Sequence, residues 1–407
     1  MQEPPATAKA ATHPRPGWVL TVTVAAGYLA AVHFPRLLAL LGLNTDGRWF
    51  IDSAAILAAA DAVRAGADPW LPNPLDLYGR PHCYSGWWLA LAETGLTRED
   101  NFLVGMLWAA AFLVSAFLVL RPATTGGALV AAAALLSPPV LLAVNRANND
   151  LVIFTVLAAG LVLMNRDTAL RNAAFAGSVV IATGLKFYPI AAAGAFLLRW
   201  PEARARRLTL LAMIGAIAAL ATASIDRALG AMPAPHGLHT FGSKVALDLL
   251  GLEGMAGRAG AAVVLAGLAA AGAHFGWAPR PPESRDAGPA QFAYVAGVAL
   301  LAGCFLAAGN YAYRLIFSLL LIPHLAAPAS GRRGTITLGL LLALLWLDGF
   351  HCLVVNTTLG PQPPAEVEAR ERIWLIATQP LVWLTVSLPV ASLLPLLRPT
   401  RRAQVQI

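Results

Sequence analysis

Ten apolar runs of roughly membrane-spanning length divide this chain, and that repetition limits what it can fold into. A bilayer core takes about 20 apolar residues per helix. The runs are Trp18–Leu41, Phe102–Leu120, Ala128–Val144, Leu151–Met164, Leu208–Ser224, Ala259–Trp277, Ala290–Ala308, Leu315–Ala329, Ile336–Val355 and Ile373–Leu397. Of 407 residues, 58% are hydrophobic and only 12% are charged, against roughly 25% charged in soluble domains. A water-soluble globule with an ordinary surface is therefore excluded. The sequence predicts an all-α polytopic membrane bundle.

The formal charge is +8. Basic residues lie between the apolar runs and form no dense patch interleaved with aromatics, so nucleic acid is not the expected partner. Positive-inside topology accounts for them better. The segment Met1–Gly17 is polar and Pro-rich and is expected to be a disordered cytoplasmic leader to a first span at Trp18–Leu41, a run too long for a signal-peptide core. Residues 18–397 are expected to form one transmembrane domain, and 398–407 a cytoplasmic tail. Cys83, Cys304 and Cys352 are scattered without metal-ligand spacing and read as small apolar fillers. No metal or cofactor is expected.

One apolar stretch, Asn172–Trp200, is broken by Gly184-Leu185-Lys186-Phe187-Tyr188-Pro189 and flanked on both sides by arginines. A single crossing would put one basic cluster outside. Two short half-helices that enter and return keep both inside, and irregular backbone at depth is tolerated where it is buried or lines a wet cavity. The expectation is a re-entrant hairpin with Lys186 at its tip, near the outer side. Counting the hairpin as two, about twelve crossings result, with both termini inside. The inner connections are then net basic and the outer ones net acidic.

Two outer connections are long, 42–101 and 225–258. In the first, Asp52–Ala65 has helical spacing, with Ile56, Leu57, Ala60 and Val63 on one side, and Gly66 followed by Pro69 ends it. It reads as an amphipathic helix on the outer membrane face. Near the ends of the apolar runs stand Asp52; the turn Asn145-Arg146-Ala147-Asn148-Asn149-Asp150; Lys186 with Tyr188; Asn310, Tyr311, Tyr313 and Arg314; and Asp348 with His351. Ionisable residues close to a membrane core usually have a functional reason. In this topology they converge on one side, where a carboxylate facing several cations suits an anionic lipid head group and a nucleophilic hydroxyl. Each also has a structural reading. Asp52 can serve as a first-turn acid, the Asn-rich loop as a capped turn, Lys186 as a snorkelling side chain, and Arg314 as a helix anchor. Asp348 and His351, one turn apart, can pair with each other. His236 and His239 have no acidic partner at metal spacing and read as solvated loop residues.

Three of these segments give the chain a resemblance to the GT-C superfamily of glycosyltransferases, and within it to glycosyltransferase family 87. They are Phe50-Ile51-Asp52 with Gly66 and Asp68-Pro69-Trp70, then Arg146-Ala147-Asn148-Asn149-Asp150-Leu151, and Gly177 through Gly184-Leu185-Lys186-Phe187-Tyr188-Pro189. A fourth, Asn310-Tyr311-Ala312-Tyr313-Arg314-Leu315, matches more weakly. The resemblance implies a GT-C-like bundle and a polyprenyl-phosphate-linked sugar donor. It also implies a glycan or glycolipid acceptor, surrounding membrane lipids, and a site on the extracytoplasmic face. It implies Asp52 as catalytic base and Lys186, Arg146, Arg314 and Tyr188 at the donor phosphate. Asn148, Asn149, Asp150, Asn310, Asp46 and His82 would bind substrate. Where many members carry Tyr-Pro-Pro, this chain reads Arg80-Pro81-His82-Cys83-Tyr84, which bears on acceptor recognition. Two other classes fit the composition. A transporter would show paired broken helices and a midplane site, and a non-catalytic carrier-binding protein would tolerate loss of Asp52.

Overall fold

The computed structural model describes residues 15–43, 47–164, 169–199, 203–232, 238, 240–252, 254–282, 288–307, 310–359 and 364–397. Most of the expected leader, the C-terminal tail, Asp46, His236 and His239 lie outside the described residues. The chain opens with α1 (Pro16–His33), α2 (Pro35–Leu40) and α3 (Ile51–Arg64), followed by a 3-10 segment at Gly86–Thr94. Next come α4 (Asn101–Leu120), α5 (Thr125–Leu135), α6 (Pro138–Arg146), α7 (Asp150–Leu163) and α8 (Ala169–Leu185). A 3-10 segment at Tyr188–Arg199 leads to α9 (Ala203–Ala221) and α10 (Ile225–Ala231). After the short strand β1 (Thr240–Phe241) stand α11 (Ser243–Leu249), α12 (Gly254–His274) and α13 (Pro289–Ala307). Strand β2 (Asn310–Tyr311), a 3-10 segment at Ala312–Leu320, α14 (Ile322–Leu325), α15 (Gly331–Thr358) and α16 (Pro364–Leu393) complete the order. The two strands pair antiparallel, Thr240 opposite Tyr311 and Phe241 opposite Asn310.

The periphery identifies the solvent this fold is made for. Val22 and Leu29 on α1, Leu103 and Leu107 on α4, Leu211 and Ile217 on α9, Val263 on α12 and Ile373 on α16 are all exposed. Apolar cover on that scale would aggregate in water and is at home in lipid. Beneath it, α4, α7, α13 and the 3-10 segment at Ala312–Leu320 form the buried core. The protein is an all-α membrane protein.

The number of crossings differs from expectation. Among the described residues, six helices are long and apolar enough to span a bilayer, and eight if each of two bent pairs makes one span. The shortfall from twelve has local causes. The run Ala128–Val144 is bent by 55° between α5 and α6, because Pro138 and Pro139 cannot continue a helix. The run Leu315–Ala329 is a buried 3-10 segment followed by one turn of α14. Helix α7 has 14 residues, about 21 Å at 1.5 Å per residue, against a core of about 30 Å.

Two other expectations change form. The break in 172–200 falls at Lys186 and Phe187, between the 17-residue α8 and the 12-residue 3-10 segment. That segment packs on α8, α9 and α13. Helix α3 forms nearly over the expected residues and stops before Gly66, whose φ is +72°. It does not lie free on a surface, however. Residues around its whole circumference, Ile56, Leu57, Ala58, Ala59, Ala60 and Ala62, are buried, packed against Gly86–Thr94 and α4.

Candidate functional site

The ends of α3, α6, α7 and α8, the α9–α10 bend and the start of the Ala312–Leu320 segment meet at one end of the bundle. They enclose a cavity of about 270 Å³, near the lower end of ordinary ligand pockets, roughly 300–1,000 Å³. Its charged wall carries Asp52, Arg80, Arg146, Lys186 and Arg314, with Asn310, Tyr84, Tyr311 and Tyr313 beside them. The apolar part of the lining includes Phe187, Ala223, Ile225, Ala228, Ala231 and Met232, most of them from the α9–α10 bend. A ligand that fits both parts is amphiphilic.

Asp52 sits in the first turn of α3. Phe50 enters this turn in the left-handed region, φ 63°, and its N–H donates to the Asn145 carbonyl at 2.7 Å, which ties α3 to the end of α6. The Asp52 side chain turns toward α6 and is 1% exposed. Its Oδ2 accepts from Arg146 Nε at 3.0 Å and from Asn148 Nδ2 at 2.6 Å, and its Oδ1 accepts from Arg146 Nη2 at 2.7 Å. Arg80 Nη1 stands 3.8 Å from Oδ1. Burial alone would push this carboxyl up; the Arg146 charge and the bonds from Arg146 and Asn148 outweigh it and hold it below the ordinary carboxylate value. The dominant partner is a forked arginine, so Asp52 does more than favour the helix dipole.

The turn at Ala147–Asp150 is both a turn and a scaffold. Ala147 adopts φ 43°, the left-handed residue that ends α6. Asn148 Oδ1 accepts from the Asp150 N–H at 3.0 Å, which starts α7. Asn148, Asn149 and Asp150 are fully buried. Lys186 Nζ donates to Asn149 Oδ1 at 2.7 Å and to Asp150 Oδ1 at 2.5 Å, and the Tyr188 hydroxyl donates to the same Asp150 oxygen. The ammonium also lies 5.7–5.9 Å from the ring centres of Tyr84, Tyr188 and Tyr313. Arg314 donates to Asn310 Oδ1 and stacks over the Tyr188 ring at 4.7 Å.

Of the expected site residues, the cavity wall includes Asp52, Arg146, Lys186, Arg314 and Asn310. Asn148, Asn149, Asp150 and Tyr188 stand one layer behind and hold those side chains. They are not part of the cavity wall: Asn148 bonds to Asp52, Asn149 and Asp150 to Lys186, and Tyr188 to Asp150. His82 is also absent from the cavity wall. It is 3% exposed, with Nε2 on the Ser85 carbonyl at 3.1 Å and its ring between Trp70 and Tyr84. Burial lowers its pKa to about 4, so it is neutral at physiological pH. Asp348 and His351 neither join the cavity nor pair with each other: Trp374 Nε1 donates to Asp348 at 3.0 Å, and His351 stacks on the same indole.

Arg80 is the main residue the sequence reading missed. Its guanidinium forks onto Asp76 at 3.0 and 2.9 Å and donates to the Ile51 carbonyl at 2.9 Å, which aims it at Asp52. The signal lay in the departure Arg80-Pro81-His82-Cys83-Tyr84, with Asp76 four residues earlier. Cys83 also lines the cavity, but burial pushes its thiol up to about 11, so it is no thiolate nucleophile. Among the described residues no three His, Cys, Asp or Glu side chains gather as a metal site. At the opposite end of the bundle a larger groove, about 540 Å³, is lined by apolar ends of α4, α7 and α13 with Arg121 as its charged residue.

No known protein family, curated protein or solved structure matches the chain. The fold and site therefore define a class by chemistry: a helical membrane protein with a one-ended amphiphilic cavity, whose buried carboxylate lies among four cations.

Proposed function

We propose that this protein is a membrane glycosyltransferase of the GT-C class. It would move a sugar, of the mannose or arabinofuranose kind, from a polyprenyl-phosphate donor to a hydroxyl of a lipid- or glycan-linked acceptor, with inversion. The observation that carries the reading is the division of the cavity. Asp52 shares a small space with Arg80, Arg146, Lys186 and Arg314, and another part of the lining is apolar. A polyprenyl-phosphate sugar divides the same way. The cavity volume suits its head group, and its tail would leave along Ile225, Ala228 and Met232 toward lipid.

In this reading the acceptor hydroxyl gives its proton to Asp52, and its oxygen forms a bond to the anomeric carbon as the bond from that carbon to the phosphate oxygen breaks. The electron pair leaves with the phosphate, and fixed guanidinium groups stabilise the negative charge that develops there. The leaving phosphate needs no proton, so one carboxylate suffices, unlike the two of glycoside hydrolases. The extracytoplasmic placement rests on the basic character of the opposite connections.

The test is sugar transfer by the purified, reconstituted protein, given a labelled polyprenyl-phosphate mannose or arabinofuranose and a glycolipid extract as acceptor. Asp52→Asn should lower transfer by about 10²–10⁴-fold, the usual contribution of a general base. Undiminished transfer by that variant removes the base assignment. No transfer by the wild type from either donor, together with solute uptake into vesicles, favours a transporter.

A further inference from the structure

We propose that Arg146 is a switching cation: it guards Asp52 in the empty site and passes to the donor phosphate when the lipid enters, so that the base is released only in the loaded enzyme. This inference rests on the phosphate-lipid reading of the cavity.

The wall cations are not equally held. Lys186 and Asp150 have side chains 7% and 0% exposed, and Asn149 and Tyr188 brace the same pair. Opening it would strand a charge in the core. Arg80 is fixed by a fork onto Asp76 and by the Ile51 carbonyl. Arg146 differs. Its side chain is as exposed as that of Arg80, 26% against 27%, and both line the cavity; what sets Arg146 apart is that its bonds go to Asp52, the group that must act as base. If Arg146 leaves, Asp52 keeps the bond from Asn148 and has Arg80 at 3.8 Å, so the carboxylate is not stranded.

The phosphodiester of the donor offers the guanidinium the same two-oxygen fork and the same single charge as the carboxylate, and the monoester formed on transfer carries more. Exchange of one for the other leaves every charge paired. It also removes from Asp52 the partner that most strongly opposes its protonation, so the carboxylate gains proton affinity when an acceptor hydroxyl is to be deprotonated. A base locked in its resting ion pair would be a weak one.

Exchange has a consequence that a purely structural ion pair does not. The carboxylate competes with the phosphate for Arg146, so removing it should strengthen binding while lowering transfer. The measurement is binding of a polyprenyl monophosphate to the protein in nanodiscs, by native mass spectrometry, with the uncharged polyprenol as control. Asp52→Asn should bind the phosphate roughly tenfold tighter than wild type, and Arg146→Gln roughly tenfold weaker, the scale of a single charge-assisted hydrogen bond. If wild type binds the phosphate in preference to the alcohol but Asp52→Asn binds equally or more weakly, the exchange is wrong and the phosphate-lipid reading stands. If wild type does not distinguish phosphate from alcohol, the reading fails and the exchange fails with it. Should Asp52→Asn not fold, Asp52→Ser carries the same comparison.

Discussion

Lys186 and Asp150 make the most direct test of how the site is built. Asp150 is 0% exposed and Lys186 6%. Asp150 Oδ1 takes both the ammonium and the Tyr188 hydroxyl, while its Oδ2 has no hydrogen-bond partner among the described residues. Asp150→Asn keeps the shape and removes the charge, leaving an ammonium buried without its counterion. Breaking a buried pair from one side costs about 3–5 kcal/mol. Lys186→Met should cost a similar amount, by stranding the carboxylate. Removing both charges strands neither, and replacing a whole buried pair by groups of similar volume is often nearly neutral. The double variant should therefore lie within about 2 kcal/mol of wild type, a coupling of several kcal/mol. Equilibrium unfolding in mixed micelles, followed by tryptophan fluorescence, reads all four proteins. Additive losses in the double variant would refute the claim that the two charges are held chiefly by each other. A stable double variant would also separate the structural role of Lys186 from the donor-binding role proposed for it, since it would fold yet present one cation fewer to the cavity.

Gly184 touches the ring of Trp87; a Cβ there would meet it at 2.2 Å. That ring's Nε1 donates to Thr222 at the α9–α10 bend, at 3.0 Å. Gly184→Ala should cost about 1–3 kcal/mol through overpacking and shift Trp87 emission; unchanged stability and emission would mean the ring moves freely. His82 gives a pH dependence. Its folded pKa is about 4, below the ordinary value near 6.5, so the unfolded chain binds more protons between these values. The stabilisation is complete above about pH 6.5 and is lost as pH falls toward 4, to about 3 kcal/mol in all. His82→Phe should flatten that loss in thermal unfolding measured across the window.

The membrane character, α3 and the break at Lys186 were legible because each has a local cause: run length, a Gly and Pro stop, and a polar interruption. The crossing count was not. Hydropathy measures the preference for apolar surroundings and does not distinguish lipid from protein interior. The run from Leu315 is as apolar as a span, yet Leu315, Ile316, Phe317 and Leu319 are buried by neighbouring helices. For the same reason the sequence pointed to several residues that meet at the cavity but not to their order in depth. Asn148 and Asp150 look like ligands in a polar turn, and only the packing of α7 against α8 turns them inward to hold Asp52 and Lys186. Arg80 was hidden differently. Its position depends on Asp76 and on the Ile51 carbonyl, a contact across 29 residues that no local pattern encodes.

The aromatic core next to Lys186 bears on the choice between transfer and transport. Beside Lys186, Tyr188 meets Phe317 at 5.7 Å, Phe317 meets Phe154 at 6.3 Å, and Phe154 meets Phe112 at 5.1 Å between ring centres. Phe112, Phe154 and Phe317 are fully buried. This cluster of tilted and edge-to-face rings lies in the buried core built from α4, α7 and the Ala312–Leu320 segment. A solute path through the bundle would have to part that core and would need polar groups on the far side to receive a charged cargo; among the described residues, the groove at the opposite end of the bundle offers Arg121 as its charged group. A lipid-linked substrate needs no such path, because it can reach the site from within the bilayer and leave the same way. The paired charges follow from that setting too. A buried cation without a partner is costly in a membrane protein; Arg80, Arg146 and Lys186 each face a carboxylate, and Arg314 rests on Asn310 and the Tyr188 ring. In the proposed function the affinity for phosphate would then be the difference between two ion pairs, and the carboxylate displaced would be Asp52.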